Sequence, residues 1–281
     1  MNHLSCIFLI LFPTLVGAAP QIGYAQATGY YKQDTQPTVY QPAHLLDGRE
    51  STSWCSPSAD PFEETLMFGF KGVTTIDEIR IYTGNGVDDS TFQEFGRAKK
   101  LVIRAAHGAQ TLSMKDQRGL QAIALRPPLT GIEFTLEILD QYPAEDPSMP
   151  VCLTDVVFYS EGKPLNGPWL TQKLKYDPNL TPLLGTWFAG PDGAADRFLS
   201  FFLDGTYRFT YEPYDPNTKG LSFGGSYQAL SSNLLMEIPG KGKVAVTPLQ
   251  ERTEPSSGSR RTLVLEGDVP EEIWQLYRDH L

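Results

Sequence analysis

Short runs rich in β-branched and aromatic residues, each closed by turn formers, recur along most of this chain and restrict it to an all-β fold. In the first half they occupy residues 64–70, 76–82, 100–106, 110–112, 121–125, 131–139 and 152–159. Several alternate with period two, as in Ile76-Asp77-Glu78-Ile79-Arg80-Ile81-Tyr82 and Phe134-Thr135-Leu136-Glu137-Ile138-Leu139, which marks strands with one buried face. Seven such strands in about 115 residues predict a β-sandwich. No helical periodicity competes with them in this block.

Residues 6–16 are apolar apart from Pro13 and Thr14 and end at Gly17-Ala18-Ala19. They are expected to form a secretory signal peptide, residues 1–18, cut between Ala18 and Ala19. The run falls short of the roughly 20 apolar residues of a membrane span, so no transmembrane segment is expected in the mature chain. An uncleaved anchor is the alternative, since the only ionisable side chain ahead of the run is His3. Cys6 leaves with the signal. In an oxidising periplasmic or extracellular compartment, Cys55 and Cys152 are then the one pair able to form a disulfide, against the alternative of two buried thiols. Two cysteines without clustered histidines cannot build a structural zinc site.

The chain of 281 residues carries 33 acidic and 23 basic side chains, a net charge of −10. With no basic stripe, that balance repels a phosphate backbone and excludes nucleic acid as a partner. Prolines and turn formers concentrate at 161–168 and 177–182, an expected linker (162–182) between a domain at 40–161 and another at 183–281. Residues 19–39, polar and aromatic, are expected to be a flexible leader lying partly on the first domain.

The ordered set Leu45-Leu46-Asp47-Gly48, Thr52-Ser53-Trp54, Ile76-Asp77-Glu78-Ile79-Arg80-Ile81, Arg97-Ala98-Lys99-Lys100-Leu101, Ile138-Leu139-Asp140-Gln141-Tyr142-Pro143 and Cys152-Leu153-Thr154-Asp155-Val156-Val157-Phe158 resembles the discoidin, galactose-binding-like jelly roll. It is most similar to the glycan-binding domain attached to secreted NAD glycohydrolases. The resemblance implies a calcium ion held by Asp47, Thr52 and Asp155, side-chain oxygens of the hard type that calcium takes. The other reading of Asp47 is an Asx-turn followed by Gly48 at positive φ. It also implies a glycan or glycoconjugate partner bound by loops at one end of the sandwich, with Tyr82, Asn85, Asp88, Phe92 and Arg97 of the long segment 83–98 as candidate ligand residues. Trp54 reads as core.

The second block opens with Leu184-Gly185-Thr186-Trp187 and continues through short runs at 198–203, 206–212, 225–230, 234–238, 243–247 and 262–265, with Asp204-Gly205 as a hairpin signal. This resembles a small antiparallel lipocalin-like barrel. About 95 residues is short for eight strands around a ligand cavity, so the interior is expected to be packed. Ile273, Trp274 and Tyr277 share a helical face and predict a C-terminal helix capping the barrel.

Enzyme signals are weak. Gly220-Leu221-Ser222-Phe223-Gly224 matches a nucleophile elbow, with Asp268 and His280 following, but that motif needs a strand-to-helix turn. Glu63-Glu64 are strand neighbours facing opposite ways, poor as a glycosidase pair. The segment from Asp215 lacks oxygen ligands where an EF-hand needs them. The expectation is a secreted, non-enzymatic carbohydrate-binding protein; the alternative is a structural or protein-interaction module.

Overall fold

The computed structural model describes residues 21–62, 64–166, 183–189, 197–230, 234–254, 260–266 and 275–278. The expected signal peptide, the body of the linker, and Glu63, Asp268 and His280 lie outside the described residues. No helix among the described residues is long and apolar enough to cross a membrane.

The first half is the expected β-sandwich. Strands β1 (Ile22–Ala27), β2 (Trp54–Cys55), β3 (Thr65–Thr83), β4 (Gly96–Ala105), β5 (Gly108–Ser113), β6 (Gln121–Tyr142), β7 (Val151–Ser160) and β8 (Lys163–Pro164) form one sheet. Its order is β1-β3-β6-β4-β7-β2, with β5 on β4 and β8 on β7. Because β3 pairs with β7 as well as β6, the sheet wraps over its own core. Two pairs of expected strands are single long ones, β3 and β6, each bent where the sheet turns its corner. In β3 the register with β6 shifts between Gly69 and Thr74 and again between Ile76 and Glu78. Across the second shift the buried set changes parity. Leu66, Phe68, Phe70 and Ile76 point inward on even numbers, Ile79 and Ile81 on odd.

Phe158 sits at the centre of that core, with ring centroids 5.0 Å from Phe68 and 5.5 Å from Phe70 in edge-to-face geometry. Trp54 is fully buried, as expected, and its indole N–H donates to the Gly29 carbonyl at 3.1 Å. The leader expected to be flexible is corrected on this point. Ile22, Tyr24 and Ala25 are buried in β1, which pairs antiparallel with β3, and Tyr31 and Tyr40 pack beside Phe95 over the disulfide.

The second half closes into an antiparallel barrel of eight short strands: β9 (Gly185–Ala189), β10 (Arg197–Phe201), β11 (Thr206–Tyr211), β12 (Leu221–Ala229), β13 (Leu234–Ile238), β14 (Gly242–Glu254), β15 (Arg260–Glu266) and β16 (Gln275–Arg278). Among the described residues the interior is packed with Trp187, Leu199, Phe201, Phe209, Leu234 and Met236. The C-terminal helix is corrected: Gln275–Arg278 is a strand, paired with β15 and with β9. Those two pairings remove the last sheet edges, which a capping helix would have left open. Ser222 lies within β12 and donates to the Phe209 carbonyl at 3.1 Å, so it is not on a strand-to-helix elbow.

The halves share packing. Leu184, Phe202 and Leu203 of the barrel side belong to the same buried cluster as the sandwich core.

Candidate functional site

Three segments of the sandwich, 47–53, 84–95 and 114–120, meet at one end, and the Thr154 hydroxyl of β7 ties two of them together. It donates to the Gly84 carbonyl at 2.8 Å, accepts from the Gly86 N–H at 2.8 Å and lies 3.0 Å from Ser53 Oγ. One donor and two acceptor positions use the full capacity of a hydroxyl. The contact is close enough to require glycine at 86: a Cβ there would come within 2.9 Å of the Glu50 carbonyl oxygen and 3.0 Å of Thr154. Thr154→Val strips all three buried groups of their partner, and at about 1 kcal/mol or more for each a loss of about 3 kcal/mol is expected. Urea denaturation checks this, and a loss under 1 kcal/mol would mean the loops do not depend on the hydroxyl.

The third segment joins through Arg118. Its guanidinium donates to the Tyr82 hydroxyl at 3.0 Å, the Asp89 carboxylate at 2.6 Å and the Gly86 carbonyl at 2.7 Å. The Arg118 side chain is one-third exposed and that of Asp89 is 91% exposed, so a planar donor and a planar acceptor stand together at the surface. Val87 and Leu120 are exposed in the same loops. Sequence reading missed Arg118, which lies about 20 residues beyond the segment it completes. Its one signal was an Arg-Gly-Leu turn between two strands, with Gly119 at φ 94°.

The expected ligand residues divide by burial. Phe92 (3% exposed) belongs to a short helix, α1 (Asp89–Glu94). Arg97 (4%) lies in β4, its guanidinium 5.4 Å from the Phe92 ring centroid. Arg97 makes a two-pronged ion pair with Asp116 at 3.0 and 2.9 Å, and donates to the Phe95 and Pro143 carbonyls. All of this is spent inside the fold, so Phe92 and Arg97 brace the loop and present nothing to solvent. Asn85 is buried too, its side-chain oxygen accepting from the Val87 N–H. Tyr82 reaches the surface cluster only through its hydroxyl. Asp88 caps α1 by accepting from the Thr91 N–H at 2.7 Å, and that bond holds its carboxyl below the usual range.

Beside these loops lie Asp47, Thr52 and Asp155. Asp47 accepts from Thr52 Oγ1 at 3.0 and 2.8 Å, from the Arg49 N–H at 2.9 Å, and meets His44 Nδ1 at 3.0 Å. The Asx-turn is therefore formed, with Gly48 at φ 66°. Burial pushes the Asp155 carboxyl up to about 7, the Asp47 charge adds to this, and a hydrogen bond from the Val156 N–H opposes it. Two buried carboxylates and a hydroxyl are the hard oxygens a calcium ion takes. Among the described residues no group of three or more His, Cys, Asp or Glu side chains is placed to hold a metal, so backbone carbonyls would have to complete the shell. Cys55 and Cys152 form the expected disulfide, joining β2 to β7.

Residues 21–159 match the family described as NAD glycohydrolase translocation F5/8 type C domain. No curated protein matches the chain. Among solved structures, the family 32 carbohydrate-binding module of NanJ from C. perfringens, in complex with galactose, is 14% identical over 49% of this chain and 93% of its own, with a TM-score of 0.36. An F5/8 type C domain from Bacteroides fragilis is 16% identical over 52% and 100%, with a TM-score of 0.39. The family 32 module of AlyQ, in complex with 4,5-unsaturated mannuronic acid, is 13% identical over 50% and 98%, at 0.36.

Proposed function

We propose, from the premise that residues 21–159 form an F5/8 type C domain, that this half of the chain is the carbohydrate-binding module of a secreted, non-enzymatic protein. The observation that carries the reading is the Arg118–Asp89 pair, a planar donor beside a planar acceptor on loops pinned by Thr154. Adjacent sugar hydroxyls each donate and accept, so one guanidinium and one carboxylate can engage both at once. Exposed Val87 and Leu120 flank the pair and offer apolar surface to sugar C–H groups. Calcium, in this reading, is held by Asp47, Thr52 and Asp155 behind the loops and fixes their shape. A protein partner is the second reading, favoured by the same exposed Val87 and Leu120, which suit an apolar rim.

A glycan array of the chain from Ala19, run with calcium and again with a chelator, tests this. Binding to a defined sugar class is expected, with at least a tenfold loss in Arg118→Ala while the thermal unfolding curve stays in place. Silence from a folded protein would move the assignment to a protein partner, and sugar binding indifferent to Arg118 would take it away from these loops.

A further inference from the structure

Between the barrel's outer wall and the wrapped sheet of the sandwich lies a cleft of about 730 Å³, within the size range of small-ligand sites and at a domain interface, where such sites concentrate. On β9 and β10, Trp187 and Leu199 fill the barrel, so strand alternation turns Thr186, Phe188, Phe198 and Ser200 outward, and all four line the cleft. Phe188 and Phe198 stand as a tilted pair with centroids 5.6 Å apart. Val73 and Ile132 on the facing wall are 65% and 43% exposed. Isolated strands of a solvated barrel carry polar residues at such positions, so this apolar lining requires a reason.

The two walls are locked together. Phe202, in the turn between β10 and β11, stacks on Tyr24 with centroids 6.2 Å apart. The Leu203 N–H donates to the Gly23 carbonyl at 2.7 Å, Lys71 pairs with Asp204, and Arg208 donates to the Lys71 carbonyl at 3.1 Å. The cleft is thus preformed, and no closing motion has to be driven by a ligand.

Its floor is polar and built. Tyr24 lies across Gly69, where a Cβ would fall 2.1 Å from the ring. That placement carries the Tyr24 hydroxyl to Glu133 Oε1 at 2.5 Å and Thr186 Oγ1 at 2.8 Å, and Thr186 reaches Ser200 Oγ at 2.9 Å. Both hydroxyls meet Glu133 at Oε1, which leaves Oε2 without a partner among the described residues. Arg208 spends one Nη1 donor on the Lys71 carbonyl and lines the cleft with the rest of its guanidinium beside Phe202.

We propose that this cleft is a second glycan site, taking a short oligosaccharide chain. A pyranose has an apolar C–H face and a rim of hydroxyls. The Phe188–Phe198 pair suits the face, while Glu133 Oε2 and Arg208 supply one planar acceptor and one planar donor for the rim. An acyl chain would cover Glu133 Oε2 and leave it unsatisfied. The proposal rests on the carbohydrate reading of the protein but uses none of the loop residues, and it gives the barrel a role as one wall of the site.

The test is saturation-transfer NMR of cellotetraose, chitotetraose and galactotetraose with the chain from Ala19, compared across Arg118→Ala alone and Arg118→Ala combined with Phe198→Ala or with Val73→Trp. Val73→Trp fills the cleft without removing a polar group, and Val73 is exposed while Phe198 is half-buried outside the barrel core, so folding is expected to survive and is checked by thermal unfolding. Residual binding in Arg118→Ala that weakens at least tenfold further when either cleft substitution is added is the expected result. Binding wholly lost in Arg118→Ala alone would overturn the cleft site and leave the loop site standing. If none of the three sugars binds, both sites fall.

Discussion

Replacing Cys55 and Cys152 together by alanine should cost the folded protein about 4 to 5 kcal/mol, the chain-entropy value for a loop of roughly a hundred residues. The separation of the two cysteines is 97 residues, so the bridge encloses most of the sandwich. Its local setting adds to the expectation. Strand β2 is only two residues long, and its register pairs Cys55 with Cys152 and Trp54 with Leu153. Without the bridge, a two-residue strand must hold a fully buried tryptophan by its ladder, the indole bond to Gly29 and core packing. Both cysteines are completely buried beneath Phe95, Tyr31 and Tyr40, so reductant added to the native protein should act slowly and only through opening. Since a typical domain is stable by 5 to 15 kcal/mol, the double variant should shift the urea midpoint by a large fraction of its value. The shared cluster joining Leu184, Phe202 and Leu203 to the sandwich core implies that the barrel's unfolding moves with it. A shift below 1 kcal/mol would show that the packing around β2 suffices without the bridge.

What the sequence made legible was what is decided locally or by elimination. Alternation in 76–82 and 134–139 revealed one-sided strands; Trp54 could be placed in the core, and two cysteines left one pairing. The misreadings have one physical source, which is that partners far away in sequence decide the outcome. Gln26 and Gly23 make β1 look like a polar leader, yet its burial depends on β3 and on Phe202 of the barrel. Residues 273–277 fit a helical face, but closure of the barrel needs a strand between β15 and β9, and pairing outweighed local periodicity. Segment 84–95 lies at one end of the sandwich, joined there through Gly86 to Thr154 and Arg118. Which side chains of 83–98 face out was not readable, because Arg97 is drawn inward by Asp116 and the Pro143 carbonyl of other segments, besides the Phe95 carbonyl of its own. Arg118 and the interdomain cleft are products of tertiary placement, and no local pattern announces either.

In the presence of a chelator, Asp155→Asn should be more stable than the parent protein at pH 8 by about 4 kcal/mol and equal to it near pH 3. The sign follows from proton linkage. The Asp155 carboxyl titrates at about 7 in the folded chain against an ordinary value of 3.8. Between those two values the folded state holds a proton that the unfolded state has released, so stability falls as pH rises through the window. The difference between the two values, at 1.36 kcal/mol per unit, gives the magnitude. Asparagine keeps an oxygen for the Val156 N–H that Asp155 now accepts, and it removes the charge that burial and Asp47 oppose. Comparing the variant with the parent at each pH cancels carboxylates of opposite sign such as Asp204, which its Lys71 and Thr206 hydrogen bonds hold low. Calcium separates the two interpretations of the site. If Asp47, Thr52 and Asp155 hold the ion, millimolar calcium should restore the parent at pH 8 and leave the variant unmoved, because the cation supplies the countercharge that the two carboxylates lack. Equal responses of parent and variant would place any calcium effect elsewhere, and a parent-minus-variant difference that does not change between pH 4 and 8 would mean that Asp155 ionises without penalty.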